Sequence, residues 1–103
     1  MSKIYIMYMT PTREEATRIG LMAKRIHREP LGRCVMISPM TEGKPIYREP
    51  QHGKPRIRCH WAVSTRNVEL AMDTDAWDIA IELYDTKPYW LAYLLSWVKR
   101  WKR

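Results

Sequence analysis

Cysteine is scarce in this sequence, with Cys34 and Cys59 the only two among 103 residues. Two thiols with no close spacing do not build a disulfide framework, so a reducing cytoplasm is the compartment expected. Glycine is nearly as sparse, at four residues, and neither a glycine-rich phosphate loop nor a G-x-S-x-G nucleophile turn is present. No apolar run approaches the roughly 20 residues that cross a bilayer, and Met1-Ser2-Lys3 leads into a β-prone segment without a secretory apolar core. Acid is in deficit, 11 Asp and Glu against 18 Lys and Arg, for a formal charge of +7. What remains is a chain 46% hydrophobic, too apolar for disorder and long enough for one domain. That length excludes an enzyme with separate cofactor and substrate domains.

Lys3 to Thr10 (KIYIMYMT) alternates, with Ile4, Ile6 and Tyr8 on one side and Tyr5, Met7 and Met9 on the other, and predicts a strand. Thr12-Arg13-Glu14-Glu15 is a capping box, and Ala16, Ile19, Gly20, Ala23 and Ile26 follow at helical spacing until Glu29-Pro30 stops the helix. Arg33 to Met40 predicts a second strand. Thr41 to Pro55, with two glycines and three prolines, predicts a long hairpin or lid. Arg56 to Thr65 predicts a third strand, Asn67 to Met72 a short helix, and Asp73-Thr74-Asp75 an acidic turn. Trp77 to Tyr84 (WDIAIELY) alternates again and predicts a fourth strand; Thr86 onward predicts a helix with Pro88 in its first turn. The expected fold is therefore α+β: a ferredoxin-like β-α-β-β-α-β order with an additional C-terminal helix on an antiparallel sheet.

Metal and catalytic signatures are weak. Cys59 and His60 are adjacent in a strand and point to opposite faces, and no CxxC or HxxxH is present. No nucleophile and base share a motif, so no enzymatic activity and no cofactor are expected. The cations say more. Arg56, Arg58 and His60 recur every second residue on one face, Lys54 precedes them and Arg48 lies across the hairpin. Guanidinium forks on such a platform match phosphate oxygens, although a solvated outer face carries the same pattern. Tyr89, Tyr93, Trp97 and Trp101 recur at four-residue spacing, which favours packing in the core or against a neighbouring subunit. The basic run Lys99 to Arg103 has the look of an interfacial or phosphate-contacting segment, or of a solvated helix end.

Several segments resemble the CutA family, the divalent-cation tolerance proteins, which are trimeric ferredoxin-like domains related in architecture to PII signalling proteins. They are the Thr-Pro turn after the first strand, Glu14-Glu15-Ala16, Leu31-Gly32-Arg33-Cys34-Val35 leading to Ile37-Ser38-Pro39, Ile46-Tyr47-Arg48, and Tyr93-Leu94-Leu95-Ser96-Trp97. Arg48-Glu49-Pro50 stands where the family has Trp-Glu-Gly, and its His-Pro-Tyr segment is replaced by Asp73 to Trp77. The resemblance implies a cytoplasmic homotrimer with sheets gathered around the axis. The function expected is a non-enzymatic one, holding a small anionic, nucleotide-like ligand in inter-subunit clefts for signalling or sequestration. Arg48, Lys54, Arg56, Arg58 and His60 would hold phosphate, while Tyr47, Trp61 or Trp90 would stack a base. Trp61 and Arg58 face opposite ways in one strand, so the hairpin or a neighbour would have to supply one of the two. Copper or divalent-cation binding is the alternative that the family name suggests. RNA or protein binding is another, although the third strand lacks the glycine that RNA-recognition strands place among their aromatics.

Overall fold

β1 (Tyr5–Thr10) leads through Pro11 to α1 (Arg13–Ile26), which starts where its capping chemistry predicts. Thr12 is extended, and its hydroxyl accepts the Glu15 amide at 3.2 Å, satisfying a donor the helix leaves open. At the other end His27 is the C-cap, and Arg28 turns into the left-handed region at φ 66°. The structure, a computed structural model, describes residues 3–28, 35–40, 46–48 and 57–102. Cys34, the proline stop at 29–30 and most of the 41–55 excursion lie outside the described residues.

Beyond α1 come β2 (Val35–Pro39), β3 (Ile46–Arg48), β4 (Ile57–Cys59) and β5 (Trp61–Thr65). β5 is the centre of a three-stranded antiparallel sheet in the order β1-β5-β2, and β3 pairs with β4 in a separate two-stranded ladder. β1 and β2 are therefore parallel to each other, joined by α1, with β5 inserted between them.

Two details of the strands differ from the expectation. The single strand over Arg56 to Thr65 is two, broken at His60. Both partners of β5 run out opposite Trp61, at Thr10 and Pro39, so the chain before it must find a new partner, which is β3. His60 bridges the change by donating its N–H to Thr10 O at 2.9 Å and accepting from Met40 N at 2.8 Å. In β1 the register slips between Ile6 and Tyr8, so that Ile6 lies opposite Ser64 while Tyr8 lies opposite Val63. A bulge of one residue reverses the alternation beyond it. Ile6 and Tyr8, expected on one side, part company: Ile6 stands 67% exposed while Tyr8 joins the core.

The larger correction concerns Trp77 to Tyr84, which is not a strand. α2 (Val68–Met72) forms as expected on its Asn67 cap, but it is followed at once by α3 (Thr74–Thr86) and then α4 (Tyr89–Lys102). Asp73 is the N-cap of α3 rather than part of a turn, its carboxylate accepting the Ala76 amide at 3.2 Å and pairing with His27 Nδ1 at 2.7 Å. From that cap Ala76, Trp77, Ala80 and Leu83 fall on one buried face at helical spacing, and the Trp77 indole donates to Leu70 O at 2.9 Å. The alternation of Ile79, Ile81 and Leu83 is real, but cap and helical stripe together outweigh it. The expected single helix from Thr86 breaks at Lys87, whose extended backbone precedes Pro88, and Pro88 O accepts the Ala92 amide that opens α4.

The fold is thus α+β, with α1 in the middle: the sheet packs on one side of it, α3 and α4 on the other. Ile19, Met22 and Ile26 are fully buried on α1, each contributing about 1.5–3 kcal/mol by leaving water. Toward the sheet α1 offers Gly20, where a Cβ would stand 2.8 Å from Val35 Cγ1 and 3.3 Å from Val63 Cγ1. By strand alternation Ala62 and Ser64 then face away from α1, on the sheet surface that Ile6, Met9 and Met36 also share.

Gly20→Ala gains about 1 kcal/mol of helix propensity but drives a methyl into a β-branched neighbour whose χ1 is stiff. The substitution is expected to lower Tm in the native background and to raise it when Val35 is already alanine. Thermal denaturation of the four variants closes the cycle. Additive shifts would show that α1 does not touch β2 at this point.

Candidate functional site

α1 and α4 run side by side in the same direction, and their contact is a ladder of guanidinium groups on aromatic faces. On α4, Tyr89, Tyr93 and Trp97 repeat every four residues and so form one stripe. On α1, Arg18 and Arg25 lie two turns apart. The Arg18 guanidinium sits 4.2 Å from the Tyr89 ring centroid, and Arg25 sits 3.9 Å from that of Tyr93 and 4.3 Å from that of Trp97. Arg25 also donates to the Tyr93 hydroxyl at 2.7 Å, and Arg18 is bound to Glu14 at 2.8 Å. Arg25 Nη1 is shielded from water and has no hydrogen-bond partner among the described residues. The two ring faces supply its electron density instead, and a planar guanidinium can stack flat on them as an ammonium cannot.

The ladder opens into a cleft where both helices end. Arg28, Trp97, Arg100 and Trp101 line it, around a volume of about 440 Å³, within the range of small-ligand pockets. Arg28 is held at φ 66°, a conformation rare for a side chain of its size. From there it grips Arg100 O twice, through Nε at 2.8 Å and Nη2 at 2.6 Å. The grip satisfies a carbonyl that the last turn of α4 leaves open. The Arg100 guanidinium lies 5.5 Å from the Trp97 centroid. No acidic side chain lines the cleft among the described residues. Its indoles stand partly open, Trp97 at 38% and Trp101 at 81%. Such walls suit an anion that also carries a flat or apolar part.

The residues singled out in the sequence are less concentrated. Lys54 and Arg56 lie outside the described residues. Tyr47 and Arg48 belong to β3, where Tyr47 is the Cα partner of Arg58 and Arg48 that of Ile57. Arg58 and His60 are both exposed, with Cys59 buried between them, so the expected alternation survives the break in the strand. Trp61 packs against the core and takes the Arg13 guanidinium at 5.7 Å, which directs it into structure rather than toward a ligand. Trp90 stands 66% exposed in the first turn of α4. Among the described residues, the β3–β4 register that sets Tyr47 opposite Arg58 is what brings two of these residues together. Among the described residues no cluster of three His, Cys, Asp or Glu could hold a metal.

The sequence carries no direct site signal for Arg18, Arg25 and Arg28, because a cation on a helix surface usually meets water, and it marks Arg100 only as part of the basic run Lys99 to Arg103. The usable signal was the match of periods: Arg18 and Arg25 at seven-residue spacing against rings at four-residue spacing.

The tyrosines beside the ladder titrate late. Tyr84 is held above its ordinary pKa of 10.0 mainly by burial, reinforced by Glu15 and opposed by Arg18. Tyr89 is raised mainly by burial too, with Arg18 pulling it back. A phenol whose folded pKa exceeds its unfolded one favours the folded state fully below pH 10, and that contribution is lost as pH rises through the folded value. The chain is therefore expected to lose Tm above pH 10, and Tyr84→Phe to lose less over the same window. Identical alkaline profiles for the two would assign the loss to other groups.

Comparison of the chain with family models, with curated proteins and with solved structures finds no match in any of the three.

Proposed function

We propose that the protein is a non-enzymatic binding module for a phosphate-bearing, nucleotide-like anion, and that recognition lies at the shared end of α1 and α4. The observation that carries this reading is the cleft of Arg28, Arg100, Trp97 and Trp101, which has two guanidinium groups, two accessible indoles and no acid on its described walls. Arginine forks bind phosphate oxygens with charge-assisted hydrogen bonds, and an indole face stacks on a base. The left-handed backbone at Arg28, one residue past the His27 cap, ends α1 and sets where that side chain leaves the helix. Arg58 and His60, exposed on the hairpin side, are then surface cations.

The same proposal keeps a CutA-like homotrimer of ferredoxin-like subunits. Its support is the order β1-β5-β2 with α1 crossing between the parallel outer strands. The sheet face that carries Ile6, Met9 and Met36 is the one that such an assembly would cover. Native mass spectrometry is expected to show three copies.

Titration with ATP or inorganic polyphosphate is expected to quench tryptophan emission, with the affinity falling as salt rises. Arg100→Gln and Trp101→Ala are each expected to weaken binding about tenfold, the size of one charge-assisted or stacking contact. Arg58→Ala with His60→Ala should leave it unchanged. If the hairpin pair abolishes binding and the cleft variants do not, the site belongs on β4 and this assignment fails.

A further inference from the structure

α4 carries a second surface, which shares Trp97 and Trp101 with the cleft and extends beyond it. Trp90, Leu94, Trp97, Val98 and Trp101 are exposed by 66%, 54%, 38%, 43% and 81%. At about 100° per residue these positions share one outward arc roughly 100° wide along the helix. The inward side is already occupied: Ala92 and Ser96 are buried, and Tyr89 and Tyr93 receive the α1 arginines. The core therefore does not need the outward arc. An aromatic side chain carries roughly 150–250 Å² in full, so at these exposures the five side chains together offer on the order of 500 Å² of apolar surface, the size of patch that a monomer shows where it binds something.

We infer that this stripe docks α4 in the plane of an anionic lipid bilayer surface. Charge and shape select that occupant. α4 contains no acidic residue, and Lys99, Arg100 and Lys102 close its last turn. By the same angular reckoning Lys102 borders the stripe on one side and Arg100 on the other, and Lys87 stands just ahead of the helix, so cations rim the apolar arc. That is the distribution by which interfacial helices combine apolar insertion with attraction to anionic headgroups. A second copy placed face to face would set the rim against itself. A protein groove would need to reach around the sides of the helix, where α1 and α3 already pack. A plane needs only the outward arc. The 14 residues of α4 extend about 21 Å, short of the roughly 30 Å of a hydrocarbon core. No described helix is long and apolar enough to cross a membrane. α4 lies on the bilayer with its indoles at headgroup level.

This inference goes beyond the cleft, since Trp90, Leu94 and Val98 lie outside it. The full chain is mixed with vesicles of phosphatidylcholine alone or of phosphatidylcholine with phosphatidylglycerol, and read by co-sedimentation and by the tryptophan emission maximum. A blue shift and co-sedimentation are expected with the anionic vesicles, about tenfold weaker without phosphatidylglycerol and weakened by salt. Leu94→Asp should abolish both while leaving polyphosphate binding in solution intact, and Lys87→Glu with Lys102→Glu should weaken vesicle binding without changing Tm. Equal binding to both vesicle types, binding to neither, or a concentration-dependent dimer that Leu94→Asp dissolves each overturns the proposal. Polyphosphate binding without vesicle binding sinks this inference and leaves the cleft standing; the reverse result sinks the cleft alone.

Discussion

Helix α1 packs on the sheet, on α3 and on α4 at once, and each neighbour makes a different demand on its side chains. The sheet requires small residues, and Gly20 supplies one where a single added carbon would collide with Val35. The helical layer requires volume, which Ile19, Met22 and Ile26 supply in full burial. α4 offers ring faces rather than an apolar groove, and α1 answers with Arg18 and Arg25. Fourteen residues satisfy these demands because the period of 3.6 carries each kind of residue to its own sector. The orientation of α4, and with it both surfaces proposed to bind, follows from that arrangement.

Much of this is legible in the sequence. Thr12, Glu15 and the stripe from Ala16 to Ile26 define α1 by cap and period, and the structure follows them within its described ends. Trp77 to Tyr84 misled because its apolar residues satisfy two periods at once. Ile79, Ile81 and Leu83 alternate like a strand, while Ala76, Trp77, Ala80 and Leu83 repeat like a helix. The arbiter was Asp73, which as an acidic turn residue says little and as a cap says helix. The bulge in β1 was not readable at all. Whether a strand slips by one residue depends on its partner, and nothing local to Ile6, Met7 and Tyr8 marks the slip.

The site shows the same division. Charge on alternate strand residues pointed to Arg58 and His60, which do stand in solvent, but periodicity gives exposure and not convergence. The cleft is made of residues 69 to 73 positions apart in the chain, Arg28 against Trp97, Arg100 and Trp101. Only the packing of α1 along α4 brings them together. The spacing of the aromatics on α4 suggests packing, which Tyr89, Tyr93 and Trp97 show against cations rather than a greasy neighbour, while Trp101 stands exposed.

Arg28 reaches across from the end of one helix to a carbonyl in the last turn of another. Helix ends ordinarily unravel independently, each turn opening and closing on its own. Here the closing turns of α1 and α4 are stitched by one side chain, so they fray as a unit. Amide protons in those turns will exchange with solvent in step, and whatever settles between Arg28 and Trp101 will slow both sets together.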